Sequence, residues 1–438
     1  MTDYKQQLLE RLHQRTAKVG VIGMGYVGLP LAVEFARAGY TVVGLDVQAE
    51  KVDKLNAGIS YIPDVPPTTL APLVKAGKLR ATTSYDDLRD ADAISICVPT
   101  PLRKTKDPDM SYVIAAADEV AKVCHPGMLV VLESTTYPGT TEEVIVPRLL
   151  NNGLTVGENV FVAFSPERVD PGNPTYGVHN TPKVVGGVTP ACVEVVTALY
   201  EPAVERVIPV SSPTAAEMVK LLENTFRAVN IGLVNEMAIM CQRLGIDVWE
   251  VIEAAKSKPF GFMAFYPGPG LGGHCIPIDP LYLSWKLRAL NYTARFIELA
   301  SEINTSMPYH VVKMVMEALN EEGKALRGAR VGILGMAYKR DIDDVRESPA
   351  LDVHELLEEK GAIVSFNDPY VPSVRLSGDR VVKSVELSPE WLAAQDCIVI
   401  VTDHTVYDPA FLLEHAHLIV DTRNKIGNHK GKARVVRL

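Results

Sequence analysis

The chain lacks the cysteine patterns that mark zinc sites and disulfide-stabilised proteins. Its six cysteines, scattered through 438 residues, form no Cys-x-x-Cys pair, and no histidines stand at the spacing of a zinc site. Cys97 and Cys397 lie inside apolar, strand-like runs, where small buried core residues are expected. We therefore expect no metal cofactor and a reducing, cytoplasmic environment.

Long hydrophobic runs and an excess of positive charge are also absent. No apolar stretch approaches the ~20 residues that a membrane-spanning helix needs, and residues 1–7 contain no apolar signal core. With 44 Lys and Arg against 53 Asp and Glu, the net charge is −9, which argues against a general binder of nucleic acid or anionic membranes. We expect neither partner, so an anionic ligand would need locally placed Lys, Arg and backbone N–H groups.

What the chain contains is the composition of a globular protein larger than one ordinary core. Hydrophobic residues make up 47% and charged residues 22%, and this length predicts two or three domains. From Lys18 to about Pro209, short β-branched runs alternate with helical segments such as Leu29–Ala38 and Tyr112–Val123. This alternation is typical of a parallel sheet covered on both faces. The candidate strands here are Val19–Gly23, Thr41–Asp46, Ile94–Val98, Leu129–Ser134 and Phe161–Phe164.

The middle of the chain, from Ser211 to about Glu321, has no strand signal. Thr214–Leu244 predicts one long helix or a broken pair, and Thr293–Leu319 predicts another long amphipathic helix. Such a helical middle between two α/β parts often supplies a dimer interface, so we expect a homodimer or higher homo-oligomer through these helices. The apolar stripe expected on the first helix consists of Met218, Leu221, Leu222, Thr225 and Val229.

Strand and helix signals alternate again from Arg330 to the end of the chain. The sequence therefore predicts an α/β protein in which two doubly wound, Rossmann-like domains are joined by a helical central domain. The predicted domains are residues 1–209, 210–322 and 323–438. The candidate strands of the last domain are Val331–Gly335, Ile363–Asn367, Cys397–Thr402 and Leu418–Asp421.

A glycine signature follows the first candidate strand and opens a helix. In Gly23-Met-Gly-Tyr-Val-Gly28, the first glycine permits a tight turn, Gly25 lets the backbone approach a pyrophosphate, and Gly28 allows close helix–strand packing. The helix start adds free N–H groups and its dipole. The alternative is a glycine turn without a ligand, but the strand and helix around the signature favour a dinucleotide.

The kind of dinucleotide is indicated by an acidic residue at the end of the next strand. Asp46, eighteen residues past Gly28, is placed to accept hydrogen bonds from ribose hydroxyls. A carboxylate there repels a 2′-phosphate, so NAD is favoured over NADP, although Lys51 nearby weakens that preference. Thr100, in the loop that follows the third candidate strand, is a further expected cofactor contact.

Cys275 stands in a loop of glycines and prolines, Gly268-Pro-Gly-Pro-Gly-Leu-Gly-Gly-His-Cys-Ile-Pro-Ile-Asp279. A thiol reacts as the thiolate, and glycines let a substrate carbon approach while N–H groups face an oxyanion. A thiol beside a nicotinamide site can hold a carbonyl carbon between two oxidations. The alternative is a cysteine that merely packs.

Other side chains suited to this chemistry lie on the first long helix and after the cysteine. Lys220 and Asn224 are one helical turn apart, and Lys220 could hold or shuttle an alkoxide proton, an effect worth about 10²–10⁴-fold. The alternative for Lys220 is a solvated helix residue. His274 is a weak candidate base for Cys275, because the side chains of adjacent residues in an extended segment point in opposite directions.

Taken together, these motifs resemble the UDP-sugar 6-dehydrogenase family from Lys18 to Arg423. This resemblance is specific because several independent motifs keep their order and approximate spacing. They are Gly23–Gly28, Val98–Pro101, Glu133-Ser-Thr-Thr136, Ser165-Pro-Glu-Arg168, Lys220 with Asn224, Gly272-Gly-His-Cys275 with Asp279, and Gly335-Met-Ala-Tyr-Lys-Arg-Asp-Ile-Asp-Asp-Val-Arg-Glu-Ser348.

The resemblance implies NAD-dependent four-electron oxidation of the C6 hydroxyl of a UDP-sugar to a uronic acid. The first domain would bind NAD, the central domain would carry the cysteine loop, and the third would bind the UDP-sugar. Cys275 would form a thiohemiacetal and then a thioester, while Lys220 manages the proton and charge of the C6 oxygen. The residues implied for the water, oxyanion and hydrolysis steps are Asn224, Asp279, Glu167 and Thr135.

The resemblance also implies binding residues for both ligands. The implied cofactor contacts are Gly23, Gly25, Tyr26, Val27, Gly28, Asp46, Lys51, Thr100, Thr135 and Arg346. The implied substrate contacts are Arg168, Val169, Lys220, Asn224, Arg227, Gly272, Tyr338, Lys339 and Arg423.

The sugar is suggested by departures from the glucose-specific branch of the family. Ser165-Pro-Glu-Arg-Val-Asp-Pro-Gly172 and Gly272-Gly-His-Cys-Ile-Pro-Ile-Asp279 resemble the N-acetylhexosamine branch. Lys258-Pro-Phe-Gly-Phe-Met-Ala-Phe-Tyr-Pro-Gly268 is similar to UDP-N-acetylglucosamine dehydrogenases and lacks the His and Arg usual in relatives that act on UDP-N-acetylmannosamine. UDP-GlcNAc is therefore expected, with UDP-ManNAc, UDP-GalNAc and UDP-glucose as alternatives, because epimers can differ by only ~1–3 kcal/mol.

Two other functions are weighed against this one. A single-step 3-hydroxy-acid dehydrogenase also joins a dinucleotide domain to helices, but it needs neither Cys275 nor another α/β domain. A nucleotide-sugar-binding regulator without catalysis is disfavoured because Cys275, Lys220 and Asp279 are all present.

Overall fold

The computed structural model describes residues 3–103, 107–150, 153–170, 172–173, 175–273 and 275–438. The chain divides into two units, here called unit 1 (Met1–Glu223 with Trp285–Asn291) and unit 2 (Asn224–Ser284 with Tyr292–Leu438). No helix among the described residues is both long and apolar enough to cross a membrane.

Unit 1 is built on a sheet of eight described strands in the order β3-β2-β1-β4-β5-β6-β7-β8. Neighbouring strands are parallel except for β6 and β7, which run antiparallel. The first six strands thus have the doubly wound order in which ligands bind at the carboxyl ends of the strands. The strands are β1 (Lys18–Ile22), β2 (Thr41–Leu45), β3 (Leu79–Thr82), β4 (Ala93–Ile96), β5 (Met128–Leu132), β6 (Val160–Phe164), β7 (Lys183–Gly187) and β8 (Val207–Val210).

Helices cover both faces of this sheet. Along β5, Leu129 and Val131 pack into one apolar core, whereas Val130 and Leu132 pack into the other. Such strands, buried on both faces, account for the nearly continuous apolar runs in the sequence. The helices are α1 (Tyr4–Gln14), α2 (Gly28–Arg37), α3 (Ala49–Asn56), α4 (Pro67–Lys75), α5 (Ser111–Val123), α6 (Val146–Leu149) and α7 (Pro190–Tyr200).

The long helices of the middle of the chain are α8 (Pro213–Leu244) and α11 (Arg295–Glu321), with α9 (Val248–Lys256) and α10 (Asp279–Arg288) between them. The first is a single helix, as one of the two sequence alternatives held. The expected apolar stripe on α8 is only partly buried, because Leu221 is buried but Met218 and Leu222 are exposed. The inward face instead carries Lys220 and Asn224, polar residues that the apolar pattern could not anticipate.

Unit 2 contains a smaller parallel sheet of described strands in the order β10-β9-β13-β14-β15, so it is doubly wound as well. A short antiparallel pair, β11 with β12, stands apart from it. The strands are β9 (Arg330–Leu334), β10 (Ile363–Asn367), β11 (Ser373–Arg375), β12 (Val381–Lys383), β13 (Cys397–Ile400), β14 (Leu418–Asp421) and β15 (Arg434–Arg437). The accompanying helices are α12 (Pro349–Glu359), α13 (Pro389–Ala393) and α14 (Pro409–His415).

The fold class is therefore the predicted one, two doubly wound α/β parts with helices between them. The predicted strands occur with ends shifted by up to two residues, while β3, β7, β8, β11, β12 and β15 were not predicted. The predicted domain boundaries at 209 and 322 stay a prediction.

Candidate functional site

The glycine turn after β1 leaves an open approach to its backbone. Gly23 has φ +90°, and a Cβ there would meet the Cys97 carbonyl oxygen at 2.6 Å. A Cβ at Gly28 would lie 1.9 Å from the Gly23 carbonyl oxygen. Helix α2 can therefore start this close to β1 only because residue 28 has no Cβ. At Gly25, by contrast, a Cβ would meet nothing within 4 Å. The turn is closed by protein at two glycines and open at the third, as a pyrophosphate requires.

Asp46 follows β2 and braces the same turn. Its carboxylate accepts hydrogen bonds from the Met24 N–H and the Gln48 N–H, both at 3.0 Å, and lies 3.6 Å from the Lys51 ammonium. The Tyr61 hydroxyl donates to the Met24 carbonyl oxygen at 2.8 Å. Because Asp46 is fixed beside the glycine turn, the residues present fit the ribose and pyrophosphate of NAD. Tyr26 and Val27, also expected cofactor contacts, form the outer part of this turn.

Thr100 lies in the loop that follows β4, at the same carboxyl edge of the sheet. It is buried, and the loop is tied down by the Ser134 hydroxyl, which donates to the Val98 carbonyl oxygen at 2.7 Å. Thr135, next to Ser134, accepts a hydrogen bond from the Lys220 ammonium. Lys220 is itself buried. The alternative of a solvated lysine is therefore wrong, since this ammonium is held inside unit 1.

Glu167 follows β6 and is held by three donors. One carboxylate oxygen accepts from the Arg168 and Val169 N–H groups, both at 2.8 Å, and the other accepts from the Lys183 ammonium at 3.1 Å. Burial by itself raises the pKa of Glu167. The charge of Lys183 and the Val169 N–H outweigh it, helped by Lys220, and hold that pKa below its usual value. Glu167 is thus kept as a buried carboxylate.

The Arg168 side chain pairs with Glu223. The guanidinium donates to both carboxylate oxygens of Glu223, at 3.2 and 2.6 Å, and to the Pro182 carbonyl oxygen at 2.7 Å. This forked geometry matches a carboxylate as it would match a phosphate. Val169 beside it is half-buried.

In unit 2, the Cys275 loop leads directly into α10. The Cys275 carbonyl oxygen accepts from the Ile278 N–H at 3.1 Å and the Asp279 N–H at 2.8 Å. Asp279 is buried, and its carboxylate accepts from the Asn224 amide at 2.6 Å. Cys275 is partly exposed, whereas Cys97 and Cys397 are buried as expected. The thiol-bearing residue is thus on a fixed loop without being sealed in a core.

Two glycines of this loop pack against the 335–348 motif. A Cβ on Gly272 would meet Tyr338 Cβ at 2.6 Å, and a Cβ on Gly273, which has φ +93°, would meet the Tyr338 ring at 2.9 Å. The Gly273 N–H donates to the Arg346 carbonyl oxygen at 3.2 Å, and the Arg346 guanidinium pairs with Asp344. The loop glycines therefore serve close packing within unit 2.

The remaining expected substrate contacts of unit 2 follow the carboxyl ends of its strands. Tyr338 and Lys339 come after β9, and Arg423 comes after β14. Burial lowers the pKa of Arg423, and its Nε donates to the Val401 carbonyl oxygen at 3.1 Å. A Cβ on Gly268 would meet this guanidinium at 2.5 Å. Arg227, on α8, is exposed, and His274 lies outside the described residues.

Sequence reasoning missed the partners that hold these groups. Glu167 and Glu133 both accept hydrogen bonds from Lys183, and Glu133 also accepts one from Tyr200. Glu223 pairs with Arg168. The sequence held no distinct signal for Lys183, because Lys18 opens the apolar strand β1 in the same way. Among the described residues, no group of three or more His, Cys, Asp or Glu is placed to hold a metal ion.

Comparison of the sequence with protein families gives matches along nearly the whole chain. The UDP-glucose/GDP-mannose dehydrogenase family matches with its NAD binding domain at residues 17–204, its central domain at 214–306 and its UDP binding domain at 332–428. The chain belongs to this family. It is accordingly an NAD-dependent oxidoreductase of the UDP-sugar 6-dehydrogenase kind.

Several relatives in the family are named for N-acetylated sugars. The chain is 39% identical over 391 residues to the UDP-N-acetyl-D-mannosamine dehydrogenase of Pyrococcus horikoshii, covering 88% of this chain and 89% of that one. It is 38% identical over 356 residues to the UDP-N-acetyl-D-glucosamine 6-dehydrogenase of Pseudomonas aeruginosa, covering 81% and 83%. A solved structure of a UDP-D-ManNAc dehydrogenase from P. horikoshii superposes with a TM-score of 0.88, at 35% identity over 96% of this chain and 98% of that one.

Proposed function

We propose that this dehydrogenase oxidises the C6 hydroxyl of a UDP-N-acetylhexosamine, UDP-GlcNAc, to the uronic acid through a covalent Cys275 intermediate. The observation that carries the proposal is the position of Cys275, partly exposed on a glycine loop that the Asp279 N–H holds in place. A family oxidoreductase that stopped at the aldehyde would have no use for such a thiol.

The first oxidation converts the C6 alcohol to an aldehyde. NAD supplies the acceptor for the two electrons and one hydrogen that leave C6 in each oxidation. Lys220, whose ammonium donates to the Thr135 hydroxyl, takes part by stabilising the negative charge on the C6 oxygen while the hydroxyl proton passes to water. Its burial strengthens that effect, because charge interactions are less screened away from water.

The second oxidation proceeds on the thiol adduct. The Cys275 thiol adds to the aldehyde carbon and its proton passes to the C6 oxygen, which gives a thiohemiacetal. Loss of the C6 hydrogen with two electrons, and of the hydroxyl proton to water, then gives a thioester. The Asn224 amide, held by Asp279 at 2.6 Å, is a donor for the oxygen of this adduct. Thiolate formation needs donors or cations nearby, which the N–H groups of a glycine loop can supply.

Hydrolysis then releases the acid. Water forms a bond to the thioester carbon, the carbon–sulfur bond breaks, and Glu167 removes the proton of the water. Glu167 suits this role because the positive charge of Lys183 keeps it a carboxylate in a buried site. The uridine diphosphate and sugar contacts we propose are Arg168, Val169, Arg227, Gly272, Tyr338, Lys339 and Arg423, and Arg346 remains a proposed cofactor contact.

The identity of the sugar is tested by a substrate panel. We expect NADH formation to be fastest with UDP-GlcNAc among UDP-GlcNAc, UDP-ManNAc, UDP-GalNAc and UDP-glucose, compared as kcat/KM. The segment 258–268, without His or Arg, supports this choice. UDP-ManNAc is the second candidate, because several relatives are named for it. A higher kcat/KM for UDP-ManNAc would replace the first assignment with the second.

Assembly and location are further proposals. Exposed apolar side chains on α8 recur on one face, at Met218, Leu222, Phe226, Leu233, Met240 and Leu244. This stripe supports a homodimer or higher homo-oligomer through the central helices, as the sequence suggested. A cytoplasmic location and the absence of nucleic-acid and membrane partners also stay predictions.

A further inference from the structure

A buried cation stands between two buried carboxylates in unit 1. Lys183 donates to Glu133 at 2.7 Å and to Glu167 at 3.1 Å, and the Tyr200 hydroxyl donates to the other oxygen of Glu133. All four side chains are at least nine-tenths buried. Desolvation makes such a cluster a poor source of stability, since apolar residues of the same volume often do as well. A role beyond folding is therefore worth seeking.

The reversal of one strand brings this lysine to the functional edge of the sheet. Glu133 and Glu167 follow the carboxyl ends of β5 and β6, whereas Lys183 is the first residue of β7. Because β7 runs antiparallel to β6, with Phe164 paired to Gly186, continuing the register sets position 183 opposite position 167. In an all-parallel sheet the start of β7 would lie at the opposite edge.

The two carboxylate oxygens of Glu167 are held by different groups. Backbone N–H groups hold one carboxylate oxygen and Lys183 holds the other, so the group has both its orientation and its charge set. Lys183 is in turn fixed from behind by Glu133, which Tyr200 anchors. Among the described residues, the charged or titratable groups that interact with Glu167 are Lys183 from β7, Lys220 from α8, Glu133 after β5 and Cys97 after β4, and Tyr200 at the end of α7 acts on Glu133.

We propose that Lys183, braced by Glu133 and Tyr200, is the positioning residue that keeps Glu167 oriented and ionised for hydrolysis of the thioester. The inference rests on the proposed function, in which Glu167 accepts the proton of the attacking water. Lys183 itself neither gains nor loses a proton. Its two acceptors outweigh the burial that lowers the pKa of Lys183 and hold that pKa above its usual value.

The test compares two variants with opposite expected effects. The double variant Lys183→Met/Glu133→Gln removes one positive and one negative charge. Glu133 is replaced together with Lys183 so that Glu167 is the one carboxylate left without its cation. Glu167 then loses its cation and its pKa rises. In Glu133→Gln alone, Glu167 keeps Lys183 and loses a like charge, so its pKa falls. Lys18→Met is the matched control, because Lys18 also opens a strand but pairs with exposed Asp90.

The measurement is the pH profile of kcat with UDP-GlcNAc, together with the burst of NADH formed before the first hydrolysis. Glu167 acts as a base, so its protonation sets the acid limb. We expect this limb to move up by at least about one pH unit in the double variant, which is about tenfold in rate on the acid side, and to move down in Glu133→Gln. KM and the burst of two NADH per active site stay unchanged in both, as does the limb in Lys18→Met.

The outcomes separate this inference from the proposed function. If the wild-type enzyme gives the two-NADH burst but neither variant moves the acid limb, the positioning role is wrong and the proposed function stands. If the wild-type enzyme forms only one NADH per sugar consumed with every sugar of the panel, both are wrong. Should the double variant fail to fold, Glu133→Gln decides, because it retains hydrogen-bonding groups at that position and an unmoved or raised limb contradicts the proposal.

Discussion

At the scale of single residues, the groups proposed for catalysis are distinguished by what holds them. Lys220 donates to Thr135, Glu167 accepts from two N–H groups and Lys183, and the Asn224 amide donates to Asp279. Each is buried, yet none is part of an apolar core. Buried polar groups with this many fixed partners are expensive to desolvate but keep one geometry, which suits catalysis more than stability.

Replacement of Lys220 tests its proposed role in the chemical step. We expect Lys220→Ala to lower kcat by about 10²–10⁴-fold, with a much smaller change in KM, because the charge acts on the oxygen as its proton leaves. Steady-state kinetics with UDP-GlcNAc and saturating NAD measure both constants. Lys122→Ala, which removes an exposed lysine paired with Glu119, is the control. A larger effect on KM than on kcat would make Lys220 a binding residue.

Motifs in the sequence predicted the residues expected to touch ligands but not the residues behind them. Gly23, Asp46 and Cys275 stand in recognisable local patterns, and the structure puts them at a strand–helix turn, a strand end and a loop. Lys183 could not be found in this way, because its contact with Glu167 depends on the direction of β7. That direction is a tertiary property that no local pattern in the chain encodes.

At the scale of elements, the first strand of each large sheet is followed by the same kind of turn, in which a backbone N–H donates to an aspartate. After β1, the Met24 N–H donates to Asp46 at 3.0 Å; after β9, the Met336 N–H donates to Asp368 at 2.7 Å. Each acidic residue follows the second strand of its sheet. In both cases a glycine with positive φ, Gly23 or Gly335, begins the turn. Only the first turn carries the Gly-x-Gly-x-x-Gly signature, and Asp368 is instead closed off by buried His404.

Two glycines of the first turn should respond differently to the same substitution. Gly25→Ala places a methyl group where no atom beyond the adjoining residues lies within 4 Å, so we expect stability within about 0.5 kcal/mol of wild type and a KM for NAD raised about tenfold or more. Gly28→Ala forces the Cβ against the Gly23 carbonyl oxygen, which should cost about 1–3 kcal/mol. Thermal unfolding and NAD kinetics measure both effects. An unchanged KM in Gly25→Ala would exclude this backbone from the cofactor site.

At the scale of the whole molecule, the chain combines an NAD binding domain and a UDP binding domain with a central domain. The alternation of strand and helix signals predicted this layout, because buried parallel strands read as apolar runs. It did not predict which face of α8 is inward, since polar Lys220 and Asn224 occupy that face. Patterns of hydrophobicity identify elements reliably only where the buried face is apolar.

The central claim is that one active site carries the alcohol to the acid by way of Cys275. The most direct measurement is the number of NADH molecules formed per UDP-sugar consumed, with the product identified, for the wild-type enzyme, Cys275→Ser and the control Cys124→Ser, which alters another partly exposed cysteine. The account predicts two NADH and a uronic acid for the wild type and the control, and a stalled Cys275→Ser enzyme with little acid. One NADH per sugar in the wild type, or normal acid formation by Cys275→Ser, would contradict it.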